Sequence, residues 1–225
     1  MIAEAVLFDL DGTLADTALD LGAALNRLLM EEGRAPLLLE ATRPHTSNGT
    51  RGLLNVGFGI APGEAAYTDL ARRFLDHYAA SVCEYTVLFP GVAKLLDTLD
   101  ERGVRWGVVT NKPHRFTVPL LEALGLNLRC ACIISGDSTP RPKPDPGPLL
   151  LGCKEAGVRP QSSLYVGDDE RDIVAGRAAG MITIAAAWGY LGVETHPENW
   201  NAHAIIEIPT QVLDQLDLDE IAGHS

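Results

Sequence analysis

The chain has 225 residues, of which 46% are hydrophobic, enough for a substantial core and for one large domain or one domain with a small companion. Lys and Arg total 18 against 30 Asp and Glu, a formal net charge of −12 with no basic run. That balance argues against nucleic-acid binding, which needs clustered cations to displace counterions. No apolar stretch approaches the roughly 20 residues that span a bilayer, and no cationic segment precedes an apolar one at the start, so the expected setting is cytoplasmic and away from membranes. Cys83, Cys130, Cys132 and Cys153 form no C-x-x-C pair and read as free thiols in a reducing compartment.

In chain order, the first apolar run is AVLFDL (residues 5–10), a buried strand by composition. From 17 to 85 the pattern turns helical. Leu21, Leu25 and Leu28 share one face, Leu70, Phe74 and Tyr78 share another, and glycines punctuate HTSNGTRGLLNVGFGIAPG between them. Pro90 and Gly91 open a helix carrying Val92, Leu95, Leu96 and Leu99, closed by Gly103. Four more strand-like runs follow: VRWGVVT (104–110), CACIIS (130–135), SLYVGD (163–168) and MITIAAA (181–187). Asp169 is placed to cap a helix running from near Glu170 to Gly180. Buried strands alternating with helices predict an α/β fold, a doubly wound, Rossmann-like parallel sheet formed by residues 1–16 and 86–225. Residues 17–85 are expected to form a small all-helical domain inserted after the first strand.

Ligands of such sheets bind beyond the carboxyl ends of the strands. Three of these runs end in reactive or phosphate-binding groups: Asp9 and Asp11, Thr110 and Asn111, Asp168 and Asp169. Asp9 and Asp11 lie two apart and project to the same side of an extended chain. Their mutual repulsion favours a divalent cation between them, and oxygen-only ligands suit Mg²⁺. One carboxylate could attack a phosphoryl group to form an aspartyl-phosphate, while the other protonates the leaving oxygen and then activates water. Gly12 lets the chain turn close to a phosphate, and Thr13 adds a hydroxyl and a main-chain donor. Lys112 and Arg115 are equally readable as a positive field near the phosphate or as solvated surface. GFGIAPG (57–63) imitates a nucleotide-binding loop but follows no strand, and the six histidines have no metal-ligand spacing.

DLDGT (9–13), VVTNK (108–112), the lysine of RPKPDP (141–146) and GDDERD (167–172) resemble, in order, the four motifs of the haloacid dehalogenase-like hydrolases. The resemblance covers nearly the whole chain, and the helical insertion stands where that family carries a small cap. It implies Asp9 as nucleophile, Asp11 as general acid and base, Thr110 as a phosphoryl donor, and Lys143 as the cation beside the nucleophile. It also implies Asp168 as a metal ligand together with Asp9 and the main-chain carbonyl of Asp11, with Asp172 supporting them from behind. Asp169 stands where relatives often have serine or a small residue, a departure that leaves its tie to the metal open.

An acid at position 11 favours phosphatases and phosphomutases over carbon–halogen cleavage. WGVVTNKPHRF and VGDDERDIVAGRAAGM look most like the phosphoglycolate phosphatase group, and within it like enzymes acting on N-acetylmuramic acid 6-phosphate, as do Asn199-Trp200 and AHAIIEIP. The resemblance thus implies a small phosphorylated metabolite, 2-phosphoglycolate first and the sugar phosphate second. A phosphomutase and a catalytically silent sensor of phosphorylated ligands are the rivals. Ser47, Asn48, Gly49 and Arg51, in the expected cap, are the candidates for substrate contact. Nothing in the sequence marks an oligomer interface.

Overall fold

The computed structural model describes residues 2–192 and 196–218; the last residues of the expected core, 219–225, lie outside this range. Strand β1 (Ala5–Phe8) leads through a two-residue strand, β2 (Ala15–Asp16), into four helices: α1 (Ala18–Glu31), α2 (Leu39–Thr42), α3 (Gly49–Phe58) and α4 (Tyr67–Ala79). A 3₁₀ turn, Arg43–Asn48, joins α2 to α3. The chain returns through β3 (Val87–Leu88), antiparallel to β2, and so closes a two-strand neck between the helices and the sheet.

Beyond the neck come α5 (Val92–Glu101), β4 (Arg105–Val109), α6 (His114–Ala123), β5 (Ile133–Ile134), α7 (Gly147–Ala156), β6 (Ser163–Gly167), α8 (Glu170–Ala178), β7 (Ile182–Ala186) and β8 (Ala204–Ile206). The main sheet has the order β5-β4-β1-β6-β7-β8, and every pair in it is parallel. The order reverses at β1, with β4 and then β5 on one side and β6, β7 and β8 on the other. This is the doubly wound arrangement that the alternating pattern predicts, with its crevice at the ends of β4, β1 and β6.

Side-chain alternation divides the core into two layers. Val6, Phe8, Trp106, Val108, Leu164 and Val166 face one way and pack with Leu95, Leu96, Leu99, Leu120 and Leu121. Leu7, Val109 and Tyr165 face the other way, against Leu149, Cys153 and Ala175. Burying each large apolar side chain contributes roughly 1.5–3 kcal/mol, so both faces of the central strands need helices over them. Trp106 is core, as its position suggested, and its indole N–H donates to Asp100 at 2.7 Å, satisfying the one polar atom it buries.

The helices before the neck have a core of their own, in which Leu21, Leu25, Leu28, Leu53, Leu54, Leu70, Phe74 and Tyr78 are buried, joined by Phe116 from α6. Pro119, inside α6, stands on the exposed side, where the carbonyl it leaves unpaired can take water. Two strand readings need correction. The run 130–135 forms a regular ladder only at Ile133–Ile134, although the Ala131 N–H still donates to the Trp106 carbonyl at 2.7 Å. Ala204–Ile206 adds an edge strand that the sequence hides, because a three-residue edge with Ile205 exposed shows no buried run.

Candidate active site

The ladders of β1 with β4 and with β6 end together, Phe8 pairing with Val108 on one side and Val166 on the other. The next residues of all three strands therefore emerge at one edge: Asp9 and Asp11, Thr110, and Asp168. They meet the helices before the neck across a cavity of about 290 Å³. Of the residues singled out from sequence, Asp9, Asp11, Ser47, Asn48, Gly49, Thr110, Asn111, Lys143, Asp169 and Asp172 line it. Gly12, Thr13 and Asp168 lie beneath. Arg51 does not reach the cavity; it stands between two neighbouring grooves, on the outer side of α3.

Gly12 has a φ of +86°, and a Cβ there would come within 2.2 Å of an Asp168 carboxylate oxygen. Only glycine permits this turn and this closeness. Asp168 is fully enclosed: Oδ1 accepts from the Thr13 hydroxyl at 3.0 Å, and Oδ2 accepts from the Tyr190 N–H at 3.0 Å and the Ser47 hydroxyl at 2.9 Å. Burial, then the charges of Asp9 and Asp172, push its carboxyl up to about 8, against the pull of these donors.

Lys143 lies among the acids. Its three ammonium protons serve the Val109 carbonyl at 3.0 Å, the Tyr165 hydroxyl at 2.7 Å and Asp172 Oδ1 at 2.6 Å. It is also 3.0 Å from Asp9 Oδ1, a contact of charge only, since that buried oxygen has no hydrogen-bond partner. Burial alone would lower the ammonium, but Asp172 and Asp9 outweigh it and hold it above its ordinary value. Asn111 fixes this lysine: its carboxamide accepts from the Lys143 N–H and donates to the Lys143 carbonyl, both at 2.9 Å. The expectation that Asn111 binds phosphate meets a carboxamide held against the Lys143 main chain, with one amide proton still unengaged. The Thr110 hydroxyl oxygen accepts from the Lys112 N–H at 3.2 Å, leaving its proton to point elsewhere.

Asp11 is held apart from the other acids. Its Oδ1 accepts from the Thr17 hydroxyl at 2.6 Å and from the Lys112 ammonium at 2.9 Å. Lys112, readable from sequence as solvated surface, is buried, and its ammonium also lies 4.5 Å from the centre of the Tyr78 ring. Its place directly after Thr110-Asn111 was the one signal available. Arg115, by contrast, is exposed and stacks over Phe116.

Oxygen atoms of Asp9, Asp168 and Asp172 lie within 4.8 Å of one another, the single such group of candidate ligands among the described residues. The set fits a hard divalent cation: all donors are oxygen, Asp9 Oδ1 is a buried acceptor without a hydrogen bond, and burial, then the charges of Asp9 and Asp172, push the Asp168 carboxyl toward neutrality. Asp172 has less to offer, because Oδ1 serves Lys143 and Oδ2 accepts from the Asp169 N–H at 3.2 Å. Asp169 is outside the group. Its carboxylate takes the Arg171 guanidinium at 2.7 and 2.8 Å, and it caps α8 by accepting from the Arg171 N–H. Asp169, whose tie to the metal the sequence left open, is engaged by Arg171, which also lines the cavity and went unnoticed in the sequence.

Residues 6–186 match the family model described as haloacid dehalogenase-like hydrolase. A phosphoglycolate phosphatase of Xanthomonas campestris is 44% identical over 208 residues, covering 92% of this chain and 94% of that protein. An N-acetylmuramic acid 6-phosphate phosphatase of Pseudomonas putida is 40% identical over 217 residues, covering 96% and 97%. Among solved structures, one described as a predicted phosphoglycolate phosphatase from Haemophilus somnus superposes with a TM-score of 0.83 at 26% identity, over 95% of this chain and 97% of that one. With this match over most of its length, and with Asp9, Asp11, Thr110 and Lys143 around one cavity above Asp168, the chain belongs to the haloacid dehalogenase-like hydrolase family.

Proposed function

We propose that the chain is a phosphate monoester hydrolase that works through a phosphorylated Asp9, on a small phosphorylated metabolite, with 2-phosphoglycolate as the preferred ester. The observation that carries this reading is the meeting of Asp9, Asp11, Thr110 and Lys143 around one cavity above Asp168. Asp9 attacks phosphorus, and the bond from phosphorus to the ester oxygen breaks as Asp11 gives that oxygen its proton. Asp11 then takes a proton from water, which attacks the same phosphorus and frees Asp9 and inorganic phosphate. The Lys143 ammonium, beside Asp9 Oδ1, offsets charge through both steps, and the Thr110 hydroxyl donates to a phosphoryl oxygen.

Asp9 and Asp168, with the main-chain carbonyl of Asp11, would hold Mg²⁺, and Asp172 would support them through Lys143. When bound, the ion supplies positive charge that offsets the phosphoryl group and aims it at Asp9. Residues 17–85 serve as the cap over the core of 1–16 and 86–225, bringing Thr46, Ser47, Asn48 and Gly49 to the cavity and keeping competing water out. Arg51 acts only at the rim. Four free cysteines support the cytoplasmic setting.

The small cavity and the 44% identity to phosphoglycolate phosphatases favour the two-carbon ester. One observation favours N-acetylmuramic acid 6-phosphate as the second reading: Leu21, Phe74, Leu75, Tyr78 and Phe116 give the cavity an apolar wall that suits the methyl groups and ring face of an acylated sugar. The test is phosphate release from a panel holding both compounds, with Mg²⁺ and with excess EDTA. Metal-dependent release with the highest kcat/KM on 2-phosphoglycolate supports the first reading. A preference for the sugar phosphate transfers the assignment to the second, and no release from any ester removes both.

A further inference from the structure

The motif GDDERD places a second acid after Asp168, and no step of the proposed reaction uses it. We propose that Asp169 is a positioning residue: it pre-sets Arg171 so that the guanidinium docks residues 43–50, the 3₁₀ turn and the start of α3, over the cavity.

The fork is complete on the core side, with Arg171 Nε 2.7 Å from Asp169 Oδ1 and Nη2 2.8 Å from Oδ2. Nη2 also donates to the main-chain carbonyl of Ser47 at 2.7 Å. Ser47 lies near the end of the 3₁₀ turn Arg43–Asn48, where carbonyls lack partners within the turn and a cation is favoured. The same residue's hydroxyl reaches Asp168 Oδ2 at 2.9 Å. One residue of the helical unit is thus fastened twice to the junction of β6 and α8, through its main chain to Arg171 and through its side chain to Asp168. Both Asp169 and Arg171 are partly shielded, with side-chain exposures of 23% and 36%. A planar guanidinium already held by two bonds loses little freedom when it makes a third. Because its acceptor is a main-chain carbonyl, the bond from Arg171 does not depend on which side chain position 47 carries.

The test is hydrogen exchange on substrate-free, metal-free protein, so its outcome stands whether or not the proposed ester is hydrolysed. Arg171→Met should speed exchange of amides in 43–50 by roughly tenfold or more, as expected for losing a charge-assisted bond, and leave the central sheet unchanged. Asp169→Asn keeps a competent helix cap but loses the fork, and should reproduce most of that effect. The double variant should be no faster than Arg171→Met, because the two residues act through one contact. Arg171→Lys, with charge but no fork, should fall between. On the preferred ester, Arg171→Met should raise KM several-fold with kcat changed by less than about twofold. Unchanged exchange at 43–50 in Arg171→Met, or effects of the two single variants that multiply in the double, would overturn the proposal. If Arg171→Met speeds exchange in the sheet as well, its fold is compromised and Arg171→Lys carries the comparison by the same criteria.

Discussion

Asp9 Oδ1 is a buried carboxylate oxygen with a cation 3.0 Å away and no hydrogen bond, which leaves its lone pairs free. Asp11, two residues on, is bonded by Thr17 and Lys112 and has a different environment. Two carboxylates of one short motif thereby become distinct groups, as acid–base and nucleophilic roles require. Asp9→Asn removes the proposed nucleophile and one negative charge from a crowded cluster. Phosphate release should fall by at least about 10⁴-fold, with a thermal midpoint equal to or above that of the parent. Near-normal release from rigorously purified variant would remove Asp9 from its role. Asp11→Asn should be milder, about 10²–10⁴-fold, and rapid-quench experiments should find the phosphorylated enzyme accumulating.

At the scale of elements, the catalytic edge exists because three parallel strands stop in register, and the helical unit meets it through a short neck. Asp20, near the start of α1, fastens that neck. It is buried, and its carboxylate accepts from the N–H groups of Glu84, Tyr85 and Thr86 and from the Thr86 hydroxyl, at 2.6 to 3.2 Å. The helical face of Leu21, Leu25 and Leu28 was legible from spacing, whereas Asp20 was not, since its partners lie more than sixty residues away. Asp20→Ala strands several buried donors, and we expect a loss of about 3 kcal/mol, read from a urea unfolding curve. A loss below about 1 kcal/mol would show that water replaces the carboxylate at no great cost.

For the molecule as a whole, burying Asp168 beside other acids links its fold to cations and to pH. Its carboxyl is raised to about 8 in the folded protein, against an unfolded value near 3.9. The native state therefore holds this proton more tightly than the unfolded chain does. The stability this lends is complete below about pH 4 and is lost as pH rises toward 8. A cation that binds the ionised site of the native state alone restores stability, and competes with fewer protons at high pH. Mg²⁺ should accordingly raise the thermal midpoint of cation-free protein more at pH 8 than at pH 5. An equal shift at both, or none at pH 8, would separate Asp168 from any metal.

Periodicity and punctuation were enough to predict the buried strands of the parallel core, though not the edge strand Ala204–Ile206, and ordered motifs were enough to single out Asp9, Asp11, Thr110, Lys143 and Asp168, which meet at one edge of the sheet. Buried runs and strand-end acids are local signals, written within a dozen residues of one another. Tertiary structure alone decided the rest. It took Arg51 away from the cavity, buried Lys112 against Asp11 and Tyr78, engaged Asn111 with the main chain of Lys143, and turned Asp169 toward Arg171 instead of the acidic cluster. Each of these depends on the direction a side chain takes once distant segments meet. A charged or polar residue has several partners within reach of its sequence neighbourhood, and only the packed fold selects one.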